Sequence, residues 1–311
     1  MKRQVWFVAR ALALGAVLVV LGTSAHAAEC RQTSVGLVPL TTLGAATYNG
    51  MSGGLYAGGE NRPPRAHADR GRVAAARIVP RLADGSPHHT GRVVLISIGM
   101  SNTSQEFATF RDLVRRDGRL SRALVVVNGA QGGMTASDWA NASGATWAEL
   151  ERRLAAAGVT REQVQVVWLK LANRAGGLLS DTYRVQLERD SLDVLRILRD
   201  RLPNSQIVYL SSRIYAGYAS SLLNPEPYAY ESAFVVKNII QRQVEGRPPA
   251  MVVVGTVPLG GRSHRPRRRS HVGVQRFRLR RYTPVRGGSC QGCQPAAAFL
   301  RDGRDRARMV P

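Results

Sequence analysis

The chain has 311 residues, 44% of them hydrophobic, and its 44 Lys and Arg against 21 Asp and Glu give a net charge of +23. This apolar fraction excludes wholesale disorder, and the length is sufficient for one large domain or two small ones with a buried core. Only three cysteines are present, which excludes a small domain built on disulfides. A basic chain normally indicates a polyanionic partner. Here about half of the excess lies in residues 256–311, where 14 Arg face two acidic residues, a net charge of +12.

The first 28 residues have the pattern of a secretory signal peptide. Basic residues at positions 2, 3 and 10 precede an apolar run over residues 11–21, and Ala25-His26-Ala27 forms a small-x-small cleavage site. An apolar run of 11 residues is shorter than the ~20 that span a bilayer, so we expect cleavage rather than a membrane anchor. No later segment predicts a membrane span. The predicted location is therefore secreted or periplasmic, where disulfides can form.

The remaining chain divides by its pattern. Residues 29–90 are rich in Gly, Pro and Arg, show weak periodicity, and are predicted to form an N-terminal extension packed on the main domain. Residues 91–255 hold short apolar runs that predict strands buried on both faces, at 93–98, 123–127, 164–171, 207–210 and 251–254. Stretches with helical spacing alternate with them, at 106–116, 147–157, 183–202 and 228–244.

This alternation predicts the fold class. Strands that alternate with helices form βαβ units and a parallel sheet covered by helices. We therefore expect a three-layer α/β/α sandwich with a mainly five-stranded parallel sheet of the flavodoxin-like type. The longest helical stretch has an apolar stripe that is expected to face the sheet, formed by Val185, Leu187, Leu192, Leu195, Leu198 and Leu202.

Three strand exits could form one site, because chemistry in such sheets gathers at the carboxyl ends of the strands. Ser101 follows the first strand, where it could present its hydroxyl beside helix N–H groups or simply cap the helix. Gly132 and Gly133 follow the second strand, where they could bring a backbone N–H close to a substrate or form an ordinary turn. Asn173 follows the third as an amide donor or a turn residue.

The order of these segments resembles that of the SGNH (GDSL-type) hydrolase family. Further segments are similar to a secreted bacterial branch of that family, at residues 53–56, 98–107, 128–139 and 226–231. The resemblance implies a carboxylic-ester hydrolase with Ser101 as nucleophile and Gly132, Gly133 and Asn173 as oxyanion donors. By family analogy, the substrate would be a small acyl ester, with carbohydrate O-acyl esters as the preferred class. No cofactor or metal is expected, since His and Cys do not cluster at ligand spacing.

One part of the family pattern is missing. The resemblance implies a base His supported by an Asp in an Asp-x-x-His segment near the C-terminus. His264 and His271 lie in that region, but neither has an Asp three residues before it. The base His and its Asp are thus absent in frame, and the chain as translated is expected to be impaired as an enzyme.

The Arg-rich segment 256–311 has two interpretations. One allowed coding of residues 280–285, read one nucleotide later, gives D-G-T-H-P, which contains the missing Asp-x-x-His. The same register over residues 293–310 gives the apolar spacing of a helix. We hypothesise that the gene, or its determined nucleotide sequence, carries a frameshift near codon 255. The alternative is a disordered basic tail that binds polyanions.

A different function class follows from the second interpretation. The chain would then be a non-catalytic polyanion- or carbohydrate-binding protein that uses the cleft and the tail, with nucleic acid bound only non-specifically. A dinucleotide-binding protein is disfavoured, because no Gly-x-Gly-x-x-Gly opens the first helix.

Overall fold

The structure is a computed structural model that describes residues 35–118, 120–174, 180–213, 216, 225–247 and 252–255. The predicted signal peptide and the Arg-rich tail lie outside these residues. In chain order the elements are α1 (Leu40–Leu43), β1 (Thr47–Tyr48), β2 (Met51–Ser52), α2 (Arg65–Ala76), β3 (Val93–Gly99), α3 (Ser101–Arg116), β4 (Leu124–Asn128), α4 (Ala136–Trp139), α5 (Ala145–Ala156), β5 (Val164–Lys170), α6 (Ser180–Arg201), β6 (Ile207–Leu210), α7 (Tyr228–Val244) and β7 (Val252–Gly255). Short 3-10 turns lie at Ala57–Gly59 and Arg161–Gln163.

The main sheet has five parallel strands in the order β4-β3-β5-β6-β7. Strand β3 is the first strand of this sheet in chain order. The next strand, β4, lies on one side of β3, and β5, β6 and β7 follow in order on its other side. This is the flavodoxin-like order. The direction in which strands are added reverses at β3, so the topological switch point lies there. The predicted fold class, a three-layer α/β sandwich with a five-stranded parallel sheet, is confirmed.

One face of the sheet, which we call the apolar face, packs against α5, α6 and α7. Its buried cluster joins Ile96 and Leu169 from the strands to Leu195, Ile239 and Trp147 from the helices. The Trp147 ring meets that of Trp139 edge to face, with 5.1 Å between the ring centroids. Branched aliphatic residues on both faces of the strands account for this burial, because a parallel sheet between two helical layers has no solvated side.

The other face, which we call the α3 face, has a smaller buried cluster. Leu95 and Val166 from the strands pack there against Phe107 and Phe110 of α3, and Ile78, which follows α2, borders the cluster. Phe107 also lies against Trp168 of β5, with 5.6 Å between the ring centroids. Among the residues that the structure describes, the two faces therefore differ in how much apolar surface their helices bury.

Residues 40–53 pack on the outer side of α7. Leu40 is buried against Phe234, and the Tyr48 ring stacks on Phe234 with 5.8 Å between the centroids. The buried Lys237 ammonium donates to the carbonyls of Ser52 (2.7 Å) and Gly53 (2.5 Å). Burial lowers the pKa of Lys237. The division of the chain into a signal, an extension, a domain and a tail stays a prediction.

The predicted elements of residues 91–255 are all present, with shifts at their ends. The helix predicted over 228–244 has those bounds, whereas α3 begins at Ser101, five residues before the predicted stretch 106–116. Helix α2 was not predicted, because it buries only His67 and Ala74 and so has little apolar periodicity.

The prediction that Val185 belongs to the apolar stripe was wrong. Its side chain is 70% exposed, whereas Leu187 and Leu195 of the same helix are buried. Two residues along a helix correspond to a rotation of about 200°, so Val185 and Leu187 cannot share a face.

Candidate functional site

Ser101 is the first residue of α3 and follows β3 almost directly. Its side chain is exposed, whereas the next two residues are buried. The turn between strand and helix is tight: a Cβ at Gly99 would lie 2.3 Å from the Lys170 carbonyl oxygen and 2.4 Å from the Thr103 hydroxyl. Only glycine fits there. The sequence thus places a serine hydroxyl at the carboxyl end of β3, at a helix N-terminus.

The capping interpretation of this serine is not supported by the helix geometry. Met100 is the N-cap residue of α3, and no side chain caps that end. The neighbouring hydroxyls instead join α3 to the sheet. Thr103 donates to the Lys170 carbonyl (3.0 Å), and Ser104 accepts from the Asn128 amide (3.1 Å). These bonds hold the first turn of α3 against β5 and β4.

The exit of β4 lies beside Ser101. The Gln131 N–H donates to the Gly99 carbonyl at 2.9 Å, which joins the two exits. A Cβ at Gly132 would lie 3.8 Å from the Ser101 Cβ, and no other neighbour is as close to it. Gly133 has a φ of +79°, which L residues rarely adopt. Both glycines are exposed, and Gly132 is the one whose backbone lies next to the serine.

Asn173 lies at the exit of β5 and is 7% exposed. Its Oδ1 accepts from the Ser137 N–H at 3.1 Å, and its Nδ2 donates to Asp190 Oδ2 at 2.6 Å. The preceding carbonyl, that of Ala172, accepts from the Ala136 N–H at 3.0 Å. The exit of β5 is therefore bonded to α4, which begins soon after Gly133. The three predicted exits are thus brought to one edge of the sheet, although the catalytic roles of their residues stay predictions.

A buried ion pair lies beneath this edge, between Lys170 at the end of β5 and Glu106 in α3. The ammonium donates to both carboxylate oxygens at 2.7 Å, and the two side chains are 2% and 11% exposed. Burial lowers the pKa of Lys170, and the Glu106 charge acts in the opposite direction. The sequence analysis missed this pair, although a lysine ending an apolar strand was a signal that it needs a buried partner.

Asp190 is the second residue that the sequence analysis missed. It is 6% exposed in α6, and its other carboxylate oxygen accepts from Gln186 Nε2 at 2.7 Å. The signal was its place three residues after Leu187, on the side of α6 that faces the core. A carboxylate on that side is expected to have hydrogen-bond donors.

The predicted location of the base, after residue 256, lies outside the described residues, as do His264 and His271. The histidines that are described lie in the N-terminal part of the chain. His67 is buried in α2, and the exposed His88 and His89 stack on one another with 4.3 Å between their ring centroids. Among the described residues, no group of three or more His, Cys, Asp or Glu side chains is arranged to hold a metal ion.

The fold and the site thus define an α/β protein of flavodoxin-like order with an exposed serine at the exit of β3, next to the switch point of the sheet. No family model matches the sequence, and no curated protein matches it. Within the described ranges, none of the helices has both the length and the apolar character needed to cross a membrane.

The solved structures described next are only distantly similar to this chain. One is a Bacteroides fragilis protein described as an acylhydrolase, 14% identical over 62% of this chain and 78% of that chain, with a TM-score of 0.31. Another is the periplasmic domain of a Salmonella ser. Paratyphi A lipopolysaccharide acetyltransferase, 12% identical over 61% and 78%, with a TM-score of 0.32.

A third is a gut microbial diltiazem-metabolizing enzyme, 17% identical over 58% of this chain, with a TM-score of 0.31. The match spans only 38% of that enzyme.

Proposed function

We propose that this chain has the architecture of an exported SGNH-type serine ester hydrolase. The observation that carries the proposal is the position of Ser101, exposed at the N-terminus of α3 with Gly132 beside it. A helix N-terminus and open backbone N–H groups favour the negative charge that develops on a carbonyl oxygen under attack. Asn173, at the third exit, adds a side-chain amide to the same edge.

The proposed chemistry proceeds in two steps. The Ser101 oxygen attacks the carbonyl carbon of the ester, the alcohol leaves, and water then releases the acid from the acyl-serine. Gly132 and Gly133 supply backbone N–H donors to the oxyanion, together with the Asn173 amide. The serine proton needs an acceptor, and the expected Asp-x-x-His is missing in frame. The chain as translated is therefore expected to be slow, by several orders of magnitude relative to a complete triad.

The substrate class and the location belong to the same proposal. The acyl group would be carried by a small ester, with carbohydrate O-acyl esters preferred on the resemblance. Export is supported by the basic, apolar and small-x-small pattern of residues 1–28.

The test compares p-nitrophenyl acetate hydrolysis by two full-length proteins. One is the chain as translated, and the other carries the C-terminal segment read in the shifted frame. We expect the second to be at least about 10³-fold faster, and Ser101→Ala to abolish that gain. Thr109→Ala is the matched control, because Thr109 lies about two turns further along the same helix and its hydroxyl donates to the Gln105 carbonyl of that helix at 3.3 Å. Equal rates for the second protein and its Ser101→Ala variant would exclude Ser101 as the nucleophile.

A second candidate function is supported by the charge of residues 256–311, which is +12. This segment would retain heparin through sulfate contacts and DNA through phosphate contacts. Retention should weaken steeply with salt and disappear when residues 256–311 are deleted. Binding that is insensitive to salt and to the deletion would exclude this function.

A further inference from the structure

Two hydrogen bonds fix the orientation of the Asn173 amide. The Ser137 main-chain N–H can only donate, and it meets Oδ1 at 3.1 Å. An ionised Asp190 can only accept, and it meets Nδ2 at 2.6 Å. If the amide were flipped, donor would face donor and acceptor would face acceptor. The hydrogen-bond network therefore permits one orientation of this side chain.

Both partners lie on well-anchored elements. Ser137 belongs to α4, whose start is closed by a capping box between Thr135 and Asp138. Asp190 is held from its other side by Gln186, and its helix is buried against the sheet through Leu187. The Asn173 amide is thus clamped between α4 and α6, at the edge where Ser101 lies.

We propose that Asp190 is a positioning residue for the oxyanion site, an inference that rests on the proposed ester hydrolysis. A charge-assisted hydrogen bond is shorter and stronger than one between neutral groups, so the carboxylate holds the amide plane in place. A donor that is already oriented stabilises a developing oxyanion without reorganisation. The negative charge of Asp190 itself opposes an oxyanion, so its role is orientation rather than electrostatic stabilisation.

If Asp190 orients the amide, removing its charge and removing its acceptor oxygen should have different effects on kcat. Asp190→Asn removes the charge and keeps the shape and an acceptor oxygen, so it should keep kcat within about threefold. Asp190→Ala removes the acceptor, which leaves the amide free to rotate. It should lower kcat about 10- to 100-fold with KM within about twofold, a smaller loss than removing an oxyanion donor outright. Asp193→Ala, in the same helix and partly exposed, is the matched control and should leave both constants unchanged.

The second readout does not require activity. In the NMR spectrum of the full chain, the side-chain NH₂ signal of Asn173 is assigned as the one that Asn173→Asp removes. One of its two protons should be shifted downfield, because it forms the hydrogen bond to the Asp190 carboxylate. Asp190→Asn should move that proton upfield, because a neutral acceptor forms a weaker bond. This measurement remains available if Asp190→Ala does not fold.

The outcomes separate this inference from the proposed function. The kinetic test uses whichever full-length form loses its rate on Ser101→Ala. If Ser101→Ala has no effect in any form, the ester-hydrolase proposal fails, whereas the NH₂ signal still tests the clamp. If Ser101→Ala lowers the rate but Asp190→Ala keeps the original kcat, or if Asp190→Asn leaves the Asn173 signal unmoved, the positioning role is overturned.

Discussion

The two faces of the sheet differ in the balance of apolar and directional interactions that hold their helices. On the apolar face, α5, α6 and α7 bury a continuous cluster of aliphatic and aromatic side chains. On the α3 face the buried cluster is small, and α3 is also joined to the strands by the Lys170–Glu106 ion pair and by Thr103 and Ser104. Apolar burial stabilises without direction, whereas hydrogen bonds and ion pairs fix relative positions. The helix that begins with Ser101 is thus located by directional bonds.

Breaking the ion pair should have the largest effect on stability. Lys170→Met leaves Glu106 buried without its counter-ion, and removing one partner of a buried pair costs about 3–5 kcal/mol. Urea unfolding followed by circular dichroism gives this difference. The double variant Lys170→Met/Glu106→Leu should recover most of the loss, because no uncompensated charge remains. If the single and double variants are equally stable, the ion pair does not anchor α3.

Truncation on the apolar face should cost somewhat less. Leu195 is fully buried in α6, and Leu195→Ala removes its contacts and leaves a cavity, for a loss of about 3 kcal/mol. Val185→Ala in the same helix is the matched control and should change stability by less than about 0.5 kcal/mol, since that side chain is 70% exposed. Equal losses for the two variants would contradict the orientation of α6.

The smallest expected effect on stability concerns the segment that packs outside α7 and contains Tyr48. Burial, and next the neighbouring Glu231 carboxylate that accepts from its hydroxyl at 3.0 Å, raise the pKa of Tyr48 from 10.0 to about 12. A raised pKa contributes stability that is complete below pH 10 and is lost as the pH rises through 12. The free energy of unfolding should therefore fall more steeply with pH in the wild type than in Tyr48→Phe over this interval.

Ultraviolet titration of tyrosinate provides the complementary measurement. Tyr48→Phe should remove one tyrosine from those that ionise at the highest pH. Loss of a tyrosine that ionises near pH 10 would show that the segment outside α7 opens in solution.

The sequence was sufficient to predict a strand or a helix where its hydrophobic pattern repeats over several residues. Continuous branched runs such as residues 164–171 predicted buried strands, here β5, and the helical spacing of 228–244 predicted α7. It was insufficient for α2, whose few buried residues leave no periodic signal. It also misplaced Val185, because an apolar residue alone does not reveal which face of a helix it occupies.

The candidate site was predicted in outline only. The strand exits containing Ser101, Gly132 and Asn173 could be chosen from sequence, because parallel strands bring their carboxyl ends to one edge. The partners of these residues could not. Asp190 lies 17 positions from Asn173, and Glu106 lies 64 positions from Lys170, and no local pattern connects either pair.

What the sequence by itself determined is the alternation of strands and helices, and with it the parallel sheet and the edge at which Ser101 stands. These follow from local periodicity and from the handedness of βαβ connections. The tertiary structure decided which polar groups meet at that edge: the clamp on Asn173, the pair of Lys170 with Glu106, and the approach of Gly132 to Ser101. Such contacts depend on how the helices pack across the sheet, because distances of a few ångströms between residues far apart in the chain are set by packing.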